Sequence, residues 1–100
     1  MLSLPAPADD GNEARIAALM ERFTQDEGLT SSLTDEAAAW LLRYAEETVR
    51  RLVALGLPPE QLSAEISALR RRLRKAARIA GAEGDQLAAL RALLSDETRP

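Results

Sequence analysis

Six of the chain's 13 cationic side chains fall within nine residues, Arg70-Arg71-Arg72-Leu73-Arg74-Lys75-Ala76-Ala77-Arg78. Guanidinium groups grip phosphate in a forked geometry, so this run is the chain's candidate for chemistry on an anion. At roughly 100° per residue, a helix places Arg70, Arg74 and Arg78 in one column and Arg71 and Lys75 in the next, with the leucines turned away. Like charges at i,i+4 cost about 0.2–0.5 kcal/mol per pair in an isolated helix, so the columns need an offset. One offset is internal: Asp26, Glu27, Asp35 and Glu36 of the acid-rich first half, within the fold or from a second copy packed head to tail. The other is a phosphate-bearing partner such as nucleic acid. The acidic balance of the whole chain, formally −3, and the lack of aromatics in the run weigh against that second offset.

Trp40 and Tyr44, also spaced i,i+4, offer a different kind of contact. The helical wheel sets Trp40 roughly 120° from the middle of its helix's apolar seam, on a shoulder shared with polar residues. Two compatible readings follow. Phe23 and Met20 of an earlier helix cover it from within the chain, or it anchors a dimer or a partner protein, as large aromatics with a polar handle often do. Trp40, Tyr44 and Phe23 are thus the candidate interface residues. Arg70, Arg71, Arg74, Lys75 and Arg78 are the candidate contacts to phosphate or to an acidic partner.

Catalysis has little to work with. The chain has no histidine and no cysteine, so the usual neutral-pH base, thiolate nucleophiles and the commonest metal ligands are missing. Acid pairs at Asp9-Asp10, Asp26-Glu27, Asp35-Glu36 and Glu46-Glu47 are adjacent in sequence and point about 100° apart on a helix, which suits capping and solubility rather than a paired-carboxylate site. Ser31, Ser32, Ser63 and Ser67 have no imidazole to activate them, and no Gly-rich phosphate loop is present. The expectation is a non-enzymatic protein without cofactor or metal.

The elements that position these residues are helical. Ala and Leu dominate, β-branched and aromatic residues are scarce, and 100 residues bound the chain to one domain. Residues 1–11 read as a tail, and 97–100 as a second short one. Ile16, Leu19, Met20 and Phe23 predict a first helix from about residue 12, with Asn12 as its cap and Gly28 as its stop. Thr34-Asp35-Glu36 opens a second helix over about 34–55, its hydroxyl capping free amides and its acids facing the positive end of the helix dipole. The seam predicted there is Ala38, Leu42, Ala45, Val49 and Leu52, widened by Leu41 and Leu55. Gly56 ends it, Pro58 and Pro59 start a third helix over about 59–80, and Leu62, Ile66, Leu69, Leu73, Ala76 and Ala80 repeat the four-three alternation. A last helix over about 85–95 follows the Gly81 and Gly84 break, capped by Asp85 and striped by Leu87, Leu90, Leu93 and Leu94.

The predicted architecture is all-α: a helical bundle on a long antiparallel hairpin, flanked by shorter helices over residues 12–96. Charge is polarised along it. Residues 1–49 carry ten acids and three bases, whereas residues 50–78 carry eight bases and two acids. With no signal-peptide pattern and no apolar run near ~18 residues, a cytoplasmic protein without a membrane partner is expected. The expected function is helix–helix interaction or assembly, as a homodimer or with a helical partner. The alternative is a nucleic-acid-associated or regulatory protein using the basic face.

Overall fold

A computed structural model describes residues 7–98, with side chains described for 12–95. The fold is all-α, in the order α1 (Pro7–Thr24), α2 (Glu27–Thr30), α3 (Asp35–Ala54), α4 (Pro59–Gly81) and α5 (Gln86–Thr98). Part of the tail expected over 1–11, residues 1–6, lies outside the described residues, as do residues 99 and 100. From Pro7 onward the chain is already helical, and Asn12 sits inside α1 rather than capping it. Proline at a helix start costs little, since its missing amide hydrogen would have no intrahelical acceptor there.

The helix-end chemistry follows from local sequence. Thr34 accepts a hydrogen bond from the Ala37 amide through Oγ1 at 3.2 Å, opening α3. Gly56 adopts φ +70°, the left-handed geometry that ends α3 after Leu55. The Pro58 carbonyl accepts from the Leu62 amide at 2.8 Å, and Asp85 Oδ1 accepts from the Ala88 amide at 3.1 Å. Gly28 does not stop the first helix. The chain leaves helix at Thr24, turns through Gln25 and Asp26, and makes one further turn, α2, which carries Leu29 into the core.

All six residues predicted for the α4 seam are buried, together with Ala77. On α3 the buried residues are Ala37, Leu41, Ala45, Val49 and Val53, while Ala38, Leu42 and Leu52 are only half-buried. A strict i+4 row drifts by roughly 40° per step around a helix, so the buried face of α3 winds across its surface instead of running straight. The cause is cover from two sides: α1 packs on one flank of α3, and α5 packs against both α3 and α4. Leu55, predicted to widen the seam, is 66% exposed because it lies past the last helical residue.

Ile16 and Phe23 from α1, Leu29 from α2, and Leu90 and Leu94 from α5 complete a core that contains no buried polar or charged residue among those described. No described helix is long and apolar enough to cross a membrane. Leu41→Ala is expected to cost about 2–5 kcal/mol of folding stability and Leu55→Ala less than about 0.5 kcal/mol, as read by urea denaturation. Equal losses would contradict the observed register of α3.

Candidate functional site

The break between α1 and α2 places Asp26 over α4. Asp26 stands at the N-cap position of α2 yet makes no side-chain cap bond, because its carboxylate is committed elsewhere. Arg74 donates to it from Nη2 at 2.8 Å and 3.0 Å and from Nε at 3.2 Å, and Arg70 donates from Nη2 at 3.2 Å. The Asp26 side chain retains 7% of its accessible surface, against 36% for Arg70 and 54% for Arg74. Hydrogen bonding from Arg74 chiefly, opposed by burial and reinforced by Arg70, holds the Asp26 carboxyl below its ordinary pKa. A carboxylate held ionised in this way is a poor proton acceptor near neutral pH; its role is to offset charge.

One acid therefore bridges two members of the basic column and offsets one of their two charges. Arg72 turns to the opposite flank of α4 and is half-buried. Arg71, Lys75 and Arg78 remain exposed, with no ion pair among the described residues. With Arg74 they line an open groove of about 380 Å³, whose far wall is Gly28 and Ser32. The expected internal offset from Asp26, Glu27, Asp35 and Glu36 thus reaches the column through Asp26.

Trp40 and Tyr44 stack on each other, ring centroids 5.6 Å apart and planes 24° from parallel. Both pack against the core and both keep part of their surface in solvent. Phe23 is fully buried inside the chain, so its ring is a core element and not a surface anchor. Met20 lines a groove between α1 and α3 with Ile16, Glu46 and Arg50. Glu46 lies roughly 120° around α3 from Trp40, so α1 meets a different flank of α3 from the one that carries Trp40. On the α1 side Arg50 bridges Glu13 at 2.6 Å and Glu46 at 2.9 Å. The hydrogen bonds from Arg50 are the main reason that the Glu13 carboxyl lies below its ordinary pKa.

Gln86 is the residue that sequence pattern does not single out. Its Oε1 accepts from the Thr34 amide at 2.7 Å, and its Nε2 donates to the Ser32 carbonyl at 3.2 Å and to the Gly81 carbonyl at 3.5 Å. Gly81 lets the segment come this close: a Cβ there would meet Ser32 Oγ at 2.9 Å and the Ser32 carbonyl oxygen at 3.1 Å. The link between α2 and α3 is thereby pinned to the α4–α5 turn. No protein-family model, curated protein or solved structure matches this chain, so the site is read from its own geometry.

Folding lowers the Asp26 pKa, so its stabilising contribution is complete above the ordinary carboxylate range and is lost as pH falls through the lowered value. Asp26→Asn is expected to cost about 1 kcal/mol at neutral pH, a modest figure because both guanidiniums are partly solvated. The gap between wild type and variant should close as the pH is lowered below the carboxylate range in a denaturation series. A gap independent of pH would assign the loss to something other than the ion pair.

Proposed function

We propose that this chain is a non-catalytic cytoplasmic protein of helix–helix interaction and assembly, self-associating as a homodimer through the α3 flank that carries Trp40 and Tyr44. The observation that supports this reading is the stacked, partly exposed aromatic pair. Each ring restrains the other before any partner arrives, so less side-chain entropy is lost on binding than for two free rotors. Trp and Tyr also combine large apolar area with a polar edge, the composition enriched at the energetic centre of interfaces. Glu36 precedes Trp40 by one helical turn, and Glu47 follows Tyr44 on the same side, so the apolar patch has the charged rim of an interface.

Against the phosphate reading, Asp26 offsets one of the five positive charges, shared between Arg70 and Arg74. At its Ser32 side the basic groove meets the link to α3, while along α4 it continues past Arg70 to Ser67.

Sedimentation equilibrium over a wide concentration range tests the proposal. Wild-type protein is expected to exceed the monomer mass, and Trp40→Ala to weaken the association by about tenfold or more, equivalent to about 1.4 kcal/mol. Circular dichroism should show unchanged helix content in the variant. A wild-type monomer at high concentration would sink the homodimer.

A further inference from the structure

Two grooves of opposite charge flank one short link. On one side of residues 31–34, Arg71, Arg74, Lys75 and Arg78 face Gly28 and Ser32. On the other side, Glu36 and Asp85 line a groove with Thr34 and Gln86, also of about 380 Å³, floored by Ala37 and Leu87. Asp35 and Glu83 are exposed beside these acids in the sequence, and no cation lines that groove. The sign of the surface therefore reverses across about two residues of chain. Gln86 holds the boundary by bonding Ser32 and Thr34 at once, and the close approach of Ser32 to Gly81 leaves it no room to slide.

A rigid charge step of this kind complements itself. Rotating a second copy by two-fold symmetry brings its acidic groove to the first copy's basic groove, and the same operation makes the reciprocal pairing, so each contact is counted twice. A polyanion can follow α4 past Arg70 toward Ser67, but one that crosses the link meets Glu36 and Asp85, whereas a second copy matches both signs at once. The acidic groove is also continuous with the aromatic shoulder, because Glu36 and Trp40 are i,i+4 neighbours. We propose that the occupant of the Arg71–Lys75–Arg78 groove is the Glu36, Glu83 and Asp85 end of a second copy of this chain, in an isologous dimer whose charge step sets the register of the Trp40 and Tyr44 contact. This rests on the self-association proposed above and adds the surface and its symmetry.

A charge-swap experiment tests it on the full chain. The basic-side variant is Lys75→Glu with Arg78→Glu, and the acidic-side variant is Glu36→Lys with Glu83→Lys, which leaves the Asp85 cap intact. Each variant alone is expected to lose dimer by about tenfold or more, because like charges then face each other twice. Mixed in equal amounts, the two are expected to form a heterodimer near wild-type affinity, since both pairings become attractive again. Such recovery cannot come from chains that have failed to fold. Wild-type dissociation should also rise by about tenfold or more between about 50 mM and about 500 mM salt.

A dimer that ignores salt and both reversals, yet falls apart on Trp40→Ala, overturns this inference and leaves the self-association reading standing. Monomer under every condition overturns both. A monomeric wild type that binds pyrophosphate or a generic duplex at about 50 mM salt, and loses it in the basic-side variant, assigns the groove to phosphate and overturns the dimer.

Discussion

A pair of amphipathic helices can bury one seam between them, and the rest of this structure follows from what covers the remainder. The α4 helix keeps its apolar residues in a four-three alternation, so a single straight face turns inward. The α3 helix buries an i+4 row that winds around it, because α1 and α5 approach from different sides. A winding face cannot be closed by one partner. The cost of leaving it open is the exposure of leucines and valines each worth about 1.5–3 kcal/mol when buried, which is why short flanking helices of marginal intrinsic stability are held in place.

The break after α1 couples this packing problem to the charge problem. Continuing α1 straight would leave Leu29 outside and Asp26 in water. Turning at Gln25 and Asp26 buries Leu29 completely and delivers the carboxylate to Arg70 and Arg74. Asp26 gives up its role as a helix cap to do so, a small loss on a helix of only four residues. Two repulsive i,i+4 neighbours thus become a bridged pair, while Arg71, Lys75 and Arg78, on the outer side of the same helix, stay in solvent.

Much of this was legible in the sequence wherever the controlling interaction is local. The Thr34 cap, the Gly56 stop, the Pro59 start and the Asp85 cap each depend on residues within four positions, and the α4 seam on a strict period. On α3 the sequence pattern marks Ala45 and Val49 correctly but not Ala38, Leu42 and Leu52, because a wheel assumes one partner and the helix has several. The early start at Pro7 was hidden by prolines, aspartates and a glycine that read as tail composition. Nothing near Asp26 distinguished it from Glu27, since its partners lie 44 and 48 residues away. Gln86 reaches 52 residues back to the Thr34 amide, and a polar residue at a helix start has many commoner explanations.

The two surfaces left over differ in the kind of binding energy they hold. Exposed cations such as Arg71, Lys75 and Arg78 are individually weak and salt-screened, so their physical strength lies in steering encounter and rejecting wrong orientations. A stacked Trp40 and Tyr44 pair has little long-range field but offers apolar area whose burial slows dissociation. Either alone makes a poor interface: charges without an apolar centre give orientation without lifetime, and an aromatic patch without charges gives adhesion without register. Here Glu36 sits one turn from Trp40 and, with Asp85, faces away from the basic groove across a link pinned by Gln86. Gln86 bonds both Ser32 and Thr34, so the link that carries no charge of its own sets a fixed spacing between the basic and the acidic groove.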